Sequence, residues 1–305
     1  MTDAQVMTVL GPVQASDLGR TMPHEHVLCT ELGMGEGPLD DLEGAIADLK
    51  TLKTAGGGAI VDLTSGDLGR RPAMLRRASE ESGVHIVMGA GWYRESFYPQ
   101  DFNRLSVGEL TELLLADVAE GEDGVRPGVI GEIGADHDYL SGVEERVLRA
   151  CGRVQRETGL GIVLHAVMSE VGAWQLDVLE EEGVDLRRVG VGHCDLYPDV
   201  EYHTRLAERG AFVMYDTQSL PSPELDVARL TNAAEMVRRG FGSQLLISHD
   251  VCTPSGRLAG GGPGYSRTLT GTMPALIEAG VPAEVTEQIM TANAWRLLAG
   301  SEQRS

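Results

Sequence analysis

Short apolar runs recur along this chain, each followed by a stretch with helical spacing of its apolar residues. They are AIVDLTS (59–65), HIVMGAGWY (85–93), GVIGEIG (128–134), GIVLHAV (161–167), VGVGHCD (189–195), AFVMYDT (211–217) and QLLISHD (244–250), with a shorter first member at HEHVL (24–28). Each is too short for a helix and too continuously apolar for a half-exposed antiparallel strand, so each reads as a buried parallel strand. LDDLEGAIADLKTL (39–52) and GVEERVLRACGRVQRETG (142–159) are typical of the intervening helical stretches, and several of these close on glycine, the residue a helix C-terminus prefers. Eight strands alternating with about eight helices predict a (β/α)8 TIM barrel over residues 1–305 as a single domain, with a short hairpin or arm within residues 5–20 ahead of the first strand. An open doubly wound sheet has the same alternation, and alternation alone does not separate the two.

Composition narrows the partners. The net charge of −21 repels phosphate backbones, which excludes nucleic acid and anionic membrane as expected partners. The positive charge is nearly all arginine, since Lys50 and Lys53 are the only lysines. Cys29, Cys151, Cys194 and Cys252 form no close pair, so neither a zinc knuckle nor a disulfide framework is indicated. The start, MTDAQVMTVL, has no basic region followed by an apolar run, and no stretch approaches the roughly 18 apolar residues of a membrane span. The expectation is a reduced, cytoplasmic, soluble protein that acts on a small molecule, with a homodimer compatible with that reading.

Unusual residues fall at the strand ends. His24 and His26 share the first strand, and their i, i+2 spacing points both to one side. Glu132 lies late in the fourth strand, His165 late in the fifth, His193 at the end of the sixth, and Asp250 closes the eighth. The C-terminal rim is where barrel enzymes keep their sites. Singly, each residue has a plainer reading: a packed histidine, a glutamate paired with an arginine, an aspartate capping the next helix. Together, four histidines and two carboxylates exceed what one zinc needs and suit a two-metal site with a bridging carboxylate.

The order of these blocks carries a resemblance. LGPVQASDLGRTMPHEH (10–26) resembles the opening of the phosphotriesterase family of the amidohydrolase superfamily, a Gly-Pro turn followed by Leu-Gly-x-Thr and a His-x-His pair. GWYRESFYP (91–99), GHCDL (192–196), SHD (248–250) and the closing VTEQIMTANAWRLLAG (285–300) are similar to later blocks of that family. The resemblance implies that His24, His26 and Asp250 bind the more buried of two divalent cations and that His165 and His193 bind the more exposed one. Zinc is the first expectation, with manganese or cobalt as substitutes. The bridging position falls on Glu132, where well-known phosphotriesterases and lactonases of the family carry a carboxylated lysine. Carbamate chemistry is therefore absent here, and the chain resembles the glutamate-bridged, phosphotriesterase-related branch. TANAW (291–295) departs from the family's usual Asn-Pro, a helix detail with no chemical consequence.

The implied activity is hydrolysis. Water held between two cations deprotonates near neutral pH and attacks a carbonyl or phosphoryl centre. Asp250 would take the proton, and Tyr93 would hydrogen-bond the carbonyl oxygen or the leaving group. Asp216, ending the seventh strand, would orient a ligand histidine. Trp92, Arg94, Arg70, Arg71, Arg257 and Tyr265 are candidate substrate-facing loop residues, and the glycine-rich loop after the eighth strand is expected to be mobile and to shape the leaving-group pocket. His137 and His249 are not counted as ligands. A lactone or related ester, or a phosphoester, is the expected substrate. An N-acyl amide hydrolase and a non-hydrolytic metal- or ligand-binding barrel are the alternatives.

Overall fold

All eight apolar runs become strands of one parallel sheet. The computed structural model describes residues 4–30, 32–218 and 222–299, so the expected span of 1–305 runs beyond the described residues at both ends. A two-stranded antiparallel hairpin comes first, β1 (Gln5–Thr8) and β2 (Gly11–Gln14), with Val6 opposite Val13. The barrel strands follow: β3 (Arg20–Glu25), β4 (Gly57–Asp62), β5 (His85–Ala90), β6 (Val129–Gly134), β7 (Ile162–His165), β8 (Val189–Val191), β9 (Phe212–Tyr215) and β10 (Leu245–Ile247). They lie in sequence order, each paired in parallel with the next. The helices are α1 (Leu42–Thr54), α2 (Pro72–Ser82), α3 (Val107–Glu120), α4 (Gly142–Thr158), α5 (Val171–Glu181), α6 (Val200–Glu208), α7 (Pro223–Arg238), α8 (Met273–Glu278), α9 (Ala283–Gln288) and α10 (Ala294–Ala299).

Sequential strand order brings the last strand back beside the first, unlike the reversing order of a doubly wound sheet. No ladder joins β10 to β3. Instead Ser248 Oγ lies 3.1 Å from His24 N and 2.8 Å from His24 O, and Asp250 N donates to His24 O at 3.2 Å. The barrel is thus nearly closed, its seam held by the Ser248 and Glu25 side chains and one main-chain bond.

Strand alternation sorts the core into two. Val61, Val87, Val129, Val163 and Met214 belong to one buried cluster, stoppered at the bottom by Leu18 and Leu297. Their neighbours Ile60, Ile86, Ile130, Ile162 and Leu164 pack in a second cluster with Leu49, Leu75, Leu110 and Val147 of the surrounding helices. Each such side chain contributes about 1.5–3 kcal/mol by leaving water. The helix entries are cut sharply: Ser106 with Glu109, and Ser141 with Glu144, form reciprocal capping boxes at α3 and α4.

The ladders stop earlier than the apolar runs do. β8 ends at Val191 and β10 at Ile247, although the runs continue to 195 and 250. The cause is backbone geometry. His193 and Asp250 both sit at positive φ, +59° and +54°, a region that costs a non-glycine residue energy and that no strand can contain. At the other end, β3 begins at Arg20, before the apolar run at 24–28 that marks it in the sequence.

Candidate metal centre

The six rim residues converge. Glu132 stands at the middle, with its two carboxylate oxygens turned to different histidine pairs. Oε1 meets His165 Nδ1 in a very short contact and His193 Nε2 at 2.9 Å. Oε2 lies 3.4 Å from His24 Nε2 and 3.6 Å from His26 Nε2. Asp250 Oδ1 closes the far side, 3.3 Å from His26 Nε2 and 3.9 Å from His24 Nε2. Three overlapping groups of these side chains could each hold a cation: His24, His26 and Glu132; His24, His193 and Asp250; Glu132, His165 and His193. All are buried except Asp250, which reaches the mouth.

Local backbone brings Glu132 there. Gly131 has φ +139°, and a Cβ on it would lie 2.5 Å from the Val163 carbonyl oxygen. Gly134 is pressed against the next loop: a Cβ there would lie 2.9 Å from Tyr93 O and 3.3 Å from Arg94 Cβ. These two glycines let β6 approach β7 on one side and the 91–97 loop on the other.

The histidines are aimed from behind. Asp216, fully buried, places Oδ2 2.7 Å from His24 Nδ1, and its Oδ1 lies 3.0 Å from His193 Nδ1 while accepting from His193 N at 2.8 Å. His26 Nδ1 meets Thr64 Oγ1 at 2.9 Å, and Tyr93 Oη lies 3.4 Å from His165 Nε2. With Nδ1 engaged, Nε2 of His24 and of His26 turns inward, buried and without a hydrogen bond.

Charge in the cluster is balanced towards cations. Burial disfavours protonating these imidazoles; it prevails at His165, which is lowered, while at the other three the carboxylates outweigh it. Asp216 and Glu132 push His24 and His193 well above the ordinary range, and Asp250 and Glu132 push His26 up to about 10. Burial should likewise raise Glu132, but His165 and His24 hold it well below the usual carboxylate range. A cavity that draws protons this strongly offers the same field to metal ions. Orphaned inward Nε2 atoms and a carboxylate shared between two histidine pairs fit two divalent cations.

Sequence reasoning missed three supports. Glu25, between the two histidines, points the other way and accepts from His249 N at 2.9 Å and Val251 N at 3.0 Å, with Ser248 Oγ at 2.7 Å. It thereby clamps the turn that carries Asp250. Asp195 accepts from Asp216 N at 3.3 Å, Thr217 N at 3.1 Å and Thr217 Oγ1 at 2.7 Å. Buried Arg229 completes that brace, with Nε 2.9 Å from Asp195 and Nη2 2.8 Å from Thr217 O.

The cavity over the cluster measures about 180 Å³, with Leu32, Met34, Tyr93, Arg94, Val167 and Cys252 among its walls. A larger one, about 290 Å³, lies between residues 38–45 and Arg257 and contains none of the clustered histidines. Of the expected substrate-facing residues, Tyr93 and Arg94 line the smaller cavity and the rest do not. Trp92 packs edge-on against Phe102. Arg70 binds Asp117 and the Gly89 carbonyl. Arg71 stands ahead of α2 at its N-cap position. Arg257 is buried against the Val27 carbonyl and the Tyr265 ring, and Tyr265 donates to His26 O at 2.7 Å. His249 meets Thr268 Oγ1 at 2.8 Å, away from the cluster. The glycine-rich loop after β10 folds into compact turns, with Gly262 N to Arg257 O at 2.8 Å and Gly264 N to Gly256 O at 3.0 Å, and only Cys252 of it reaches the cavity.

This arrangement has relatives. The family model described as the phosphotriesterase family matches residues 4–298. The chain belongs to the phosphotriesterase family. It is 30% identical to the N-acetyltaurine hydrolase of Rattus norvegicus, over 95% of this chain and 96% of that protein. The phosphotriesterase homology protein of Escherichia coli is also 30% identical, over 86% and 91% of the two chains, and its structure superposes with a TM-score of 0.89. A lactonase from Listeria monocytogenes matches in structure with a TM-score of 0.89 at 25% identity, covering 98% of this chain and all of that one. Membership makes the chain a phosphotriesterase-family hydrolase. No helix among the described residues is long and apolar enough to cross a membrane.

Proposed function

We propose that this chain is a two-cation hydrolase of carbonyl substrates, with an N-acyl amide as the first substrate class and a lactone as the second. His24, His26 and Asp250 would hold one cation, His165 and His193 the other, and Glu132 both. Zinc suits this imidazole and carboxylate set, with manganese or cobalt able to replace it. The single observation that carries the reading is the division of the Glu132 carboxylate, one oxygen to each histidine pair. Bound there, the two cations would supply Lewis acidity and acidify a water.

The chain's own groups do the rest. Asp250, at the mouth, is the carboxylate placed to accept a proton and return it to the leaving group. Tyr93 stays a phenol, since burial and the nearby Glu132 push it well above its ordinary value, so it can donate to an oxygen in the cavity. Leu32, Met34 and Val167 give the cavity an apolar wall. For an amide, water adds to the carbonyl carbon, the C–N bond breaks, and the amine leaves with the proton.

Amide comes first because N-acetyltaurine hydrolase matches almost end to end. Lactone comes second because the Listeria lactonase shares the whole barrel. The deciding experiment is a panel of N-acyl amides and lactones offered to protein whose zinc content has been measured. Amide turnover is the expected result. Bound zinc with no turnover of either class would leave the barrel as a non-hydrolytic metal protein and reject the proposal.

A further inference from the structure

Arg94 stands out in the cavity wall. Among the wall residues it is the one arginine, on a chain of net charge −21. Its guanidinium lies over the Tyr93 ring, 4.9 Å from the centroid, and 5.3 Å from that of Phe97. Nε is the edge facing Asp136, at 3.3 Å from Oδ1. No hydrogen bond from either terminal nitrogen is found among the described residues. Arg70 makes a useful contrast, with both of its terminal nitrogens bound to protein oxygens.

The platform under Arg94 is tightly built. Tyr93 N donates to Asp67 at 2.8 Å, Ser96 N and Oγ donate to Asp136 at 2.7 and 2.9 Å, and Gly134 leaves no gap behind Arg94 Cβ. An arginine ion-paired with Asp136, set over two rings and with no hydrogen bond to protein from its terminal nitrogens among the described residues has its planar fork open to an oxyanion. An arginine serving only to pack would not need an open fork beside a reaction centre.

Resting on the carbonyl-hydrolase reading, we propose that Arg94 selects substrates carrying an anionic group, a carboxylate or sulfonate, a few bonds from the scissile carbonyl. One tyrosine ring separates the guanidinium from His165, because Tyr93 touches His165 at its hydroxyl and Arg94 over its face. With the guanidinium against the ring face and His165 at its hydroxyl, a spacer of two or three methylenes between anion and carbonyl is the first to test.

Binding tests this without turnover. The probes are 5-oxohexanoate and 5-oxohexanamide, ketones with no bond to cleave, titrated calorimetrically into zinc-loaded protein. Wild type should prefer the anion by about 10- to 100-fold, the worth of a charge-assisted hydrogen-bonded pair. Arg94→Gln should abolish the preference and Arg94→Lys should restore part of it. A role in packing alone would weaken both probes equally and leave their ratio intact. The ratio of kcat/KM for N-acetyl-β-alanine over its methyl amide, and for a lactone carboxylate over its amide, should move the same way. A sulfonate analogue in each series separates carboxylate from sulfonate preference. No anion preference in wild type, or one that survives in Arg94→Gln because the cations alone attract the carboxylate, overturns the inference while amide or lactone turnover still supports the hydrolase reading. An Arg94-dependent preference without turnover of any substrate leaves the inference standing and removes that reading.

Discussion

Asp216 Oδ2 lies 2.7 Å from His24 Nδ1, with neither side chain exposed to solvent. The aspartate's other oxygen serves His193, so one carboxylate sets the ring orientation of a histidine on β3 and of one just past the end of β8. Asp216→Asn keeps the shape but replaces one acceptor by an NH2 group. Zinc affinity, measured by competition with a chelator, should fall about 10- to 100-fold, the usual loss when such a support is removed. Unchanged affinity would show that the two histidines hold their tautomers without it.

Glu132→Gln removes the charge and one of the two acceptor oxygens that face the histidine pairs. Elemental analysis after reconstitution should show up to two zinc ions per wild-type chain and a clear deficit in the variant. Bicarbonate during reconstitution should make no difference to wild type, since the position carries a glutamate and needs no carbamate. Strong bicarbonate dependence would place the bridge elsewhere.

Asp250→Asn separates holding from chemistry. It retains one oxygen toward the cluster but cannot act as a comparable base. Zinc content should survive in good part, while kcat falls by roughly two to four orders of magnitude, the usual contribution of a positioned acid or base. Near-wild-type turnover with zinc bound would move the proton-accepting role to another rim residue.

Asp67 predicts a pH dependence of stability. Burial pushes its carboxyl up to about 6, against hydrogen bonds from Ser65 Oγ and Tyr93 N. Between the ordinary value of 3.8 and about 6 the folded chain binds the extra proton, so this contribution is full below 3.8 and is lost as pH rises through 6. Asp67→Asn cannot ionise. The stability of wild type relative to the variant should fall by on the order of 2–3 kcal/mol between pH 4 and 7. Thermal melts of both proteins across that range give the difference, in which every other titrating group cancels. A flat difference would mean that Asp67 titrates as it does in water.

The fold was legible because buried parallel strands must be apolar on both faces, and eight such runs leave few alternatives. The rim residues were legible because histidines and acids are costly at the ends of such strands unless they have work there. What stayed hidden was direction and long-range partnership. The i, i+2 pair His24 and His26 implies that Glu25 points away, but nothing local says that it grips main-chain groups at 249 and 251. Asp195 and Arg229 look like surface charges in sequence, and their mutual burial appears only in three dimensions. Loop side chains were the least legible: Trp92, Arg257 and Tyr265 turned into the core, while Arg94 kept its place in the cavity wall. Strand ends were overrun because positive φ at His193 and Asp250 leaves no mark in hydropathy.

The seam between β10 and β3 has a mechanical consequence. Seven junctions of the hoop are ladders, and the eighth is bridged by Ser248 reaching His24 across 224 residues of chain. Joining positions so far apart is the slowest kind of contact for a folding chain to make. His26 and Asp250 face each other across that gap at 3.3 Å. A cation gripped by both would act as a buckle, fastening the first strand to the last, so the act of arming the enzyme and the act of shutting its barrel become one event. Stripped of cations, the hoop should begin to unzip at this junction, with amide exchange quickening along β3 and β10 before any other strand.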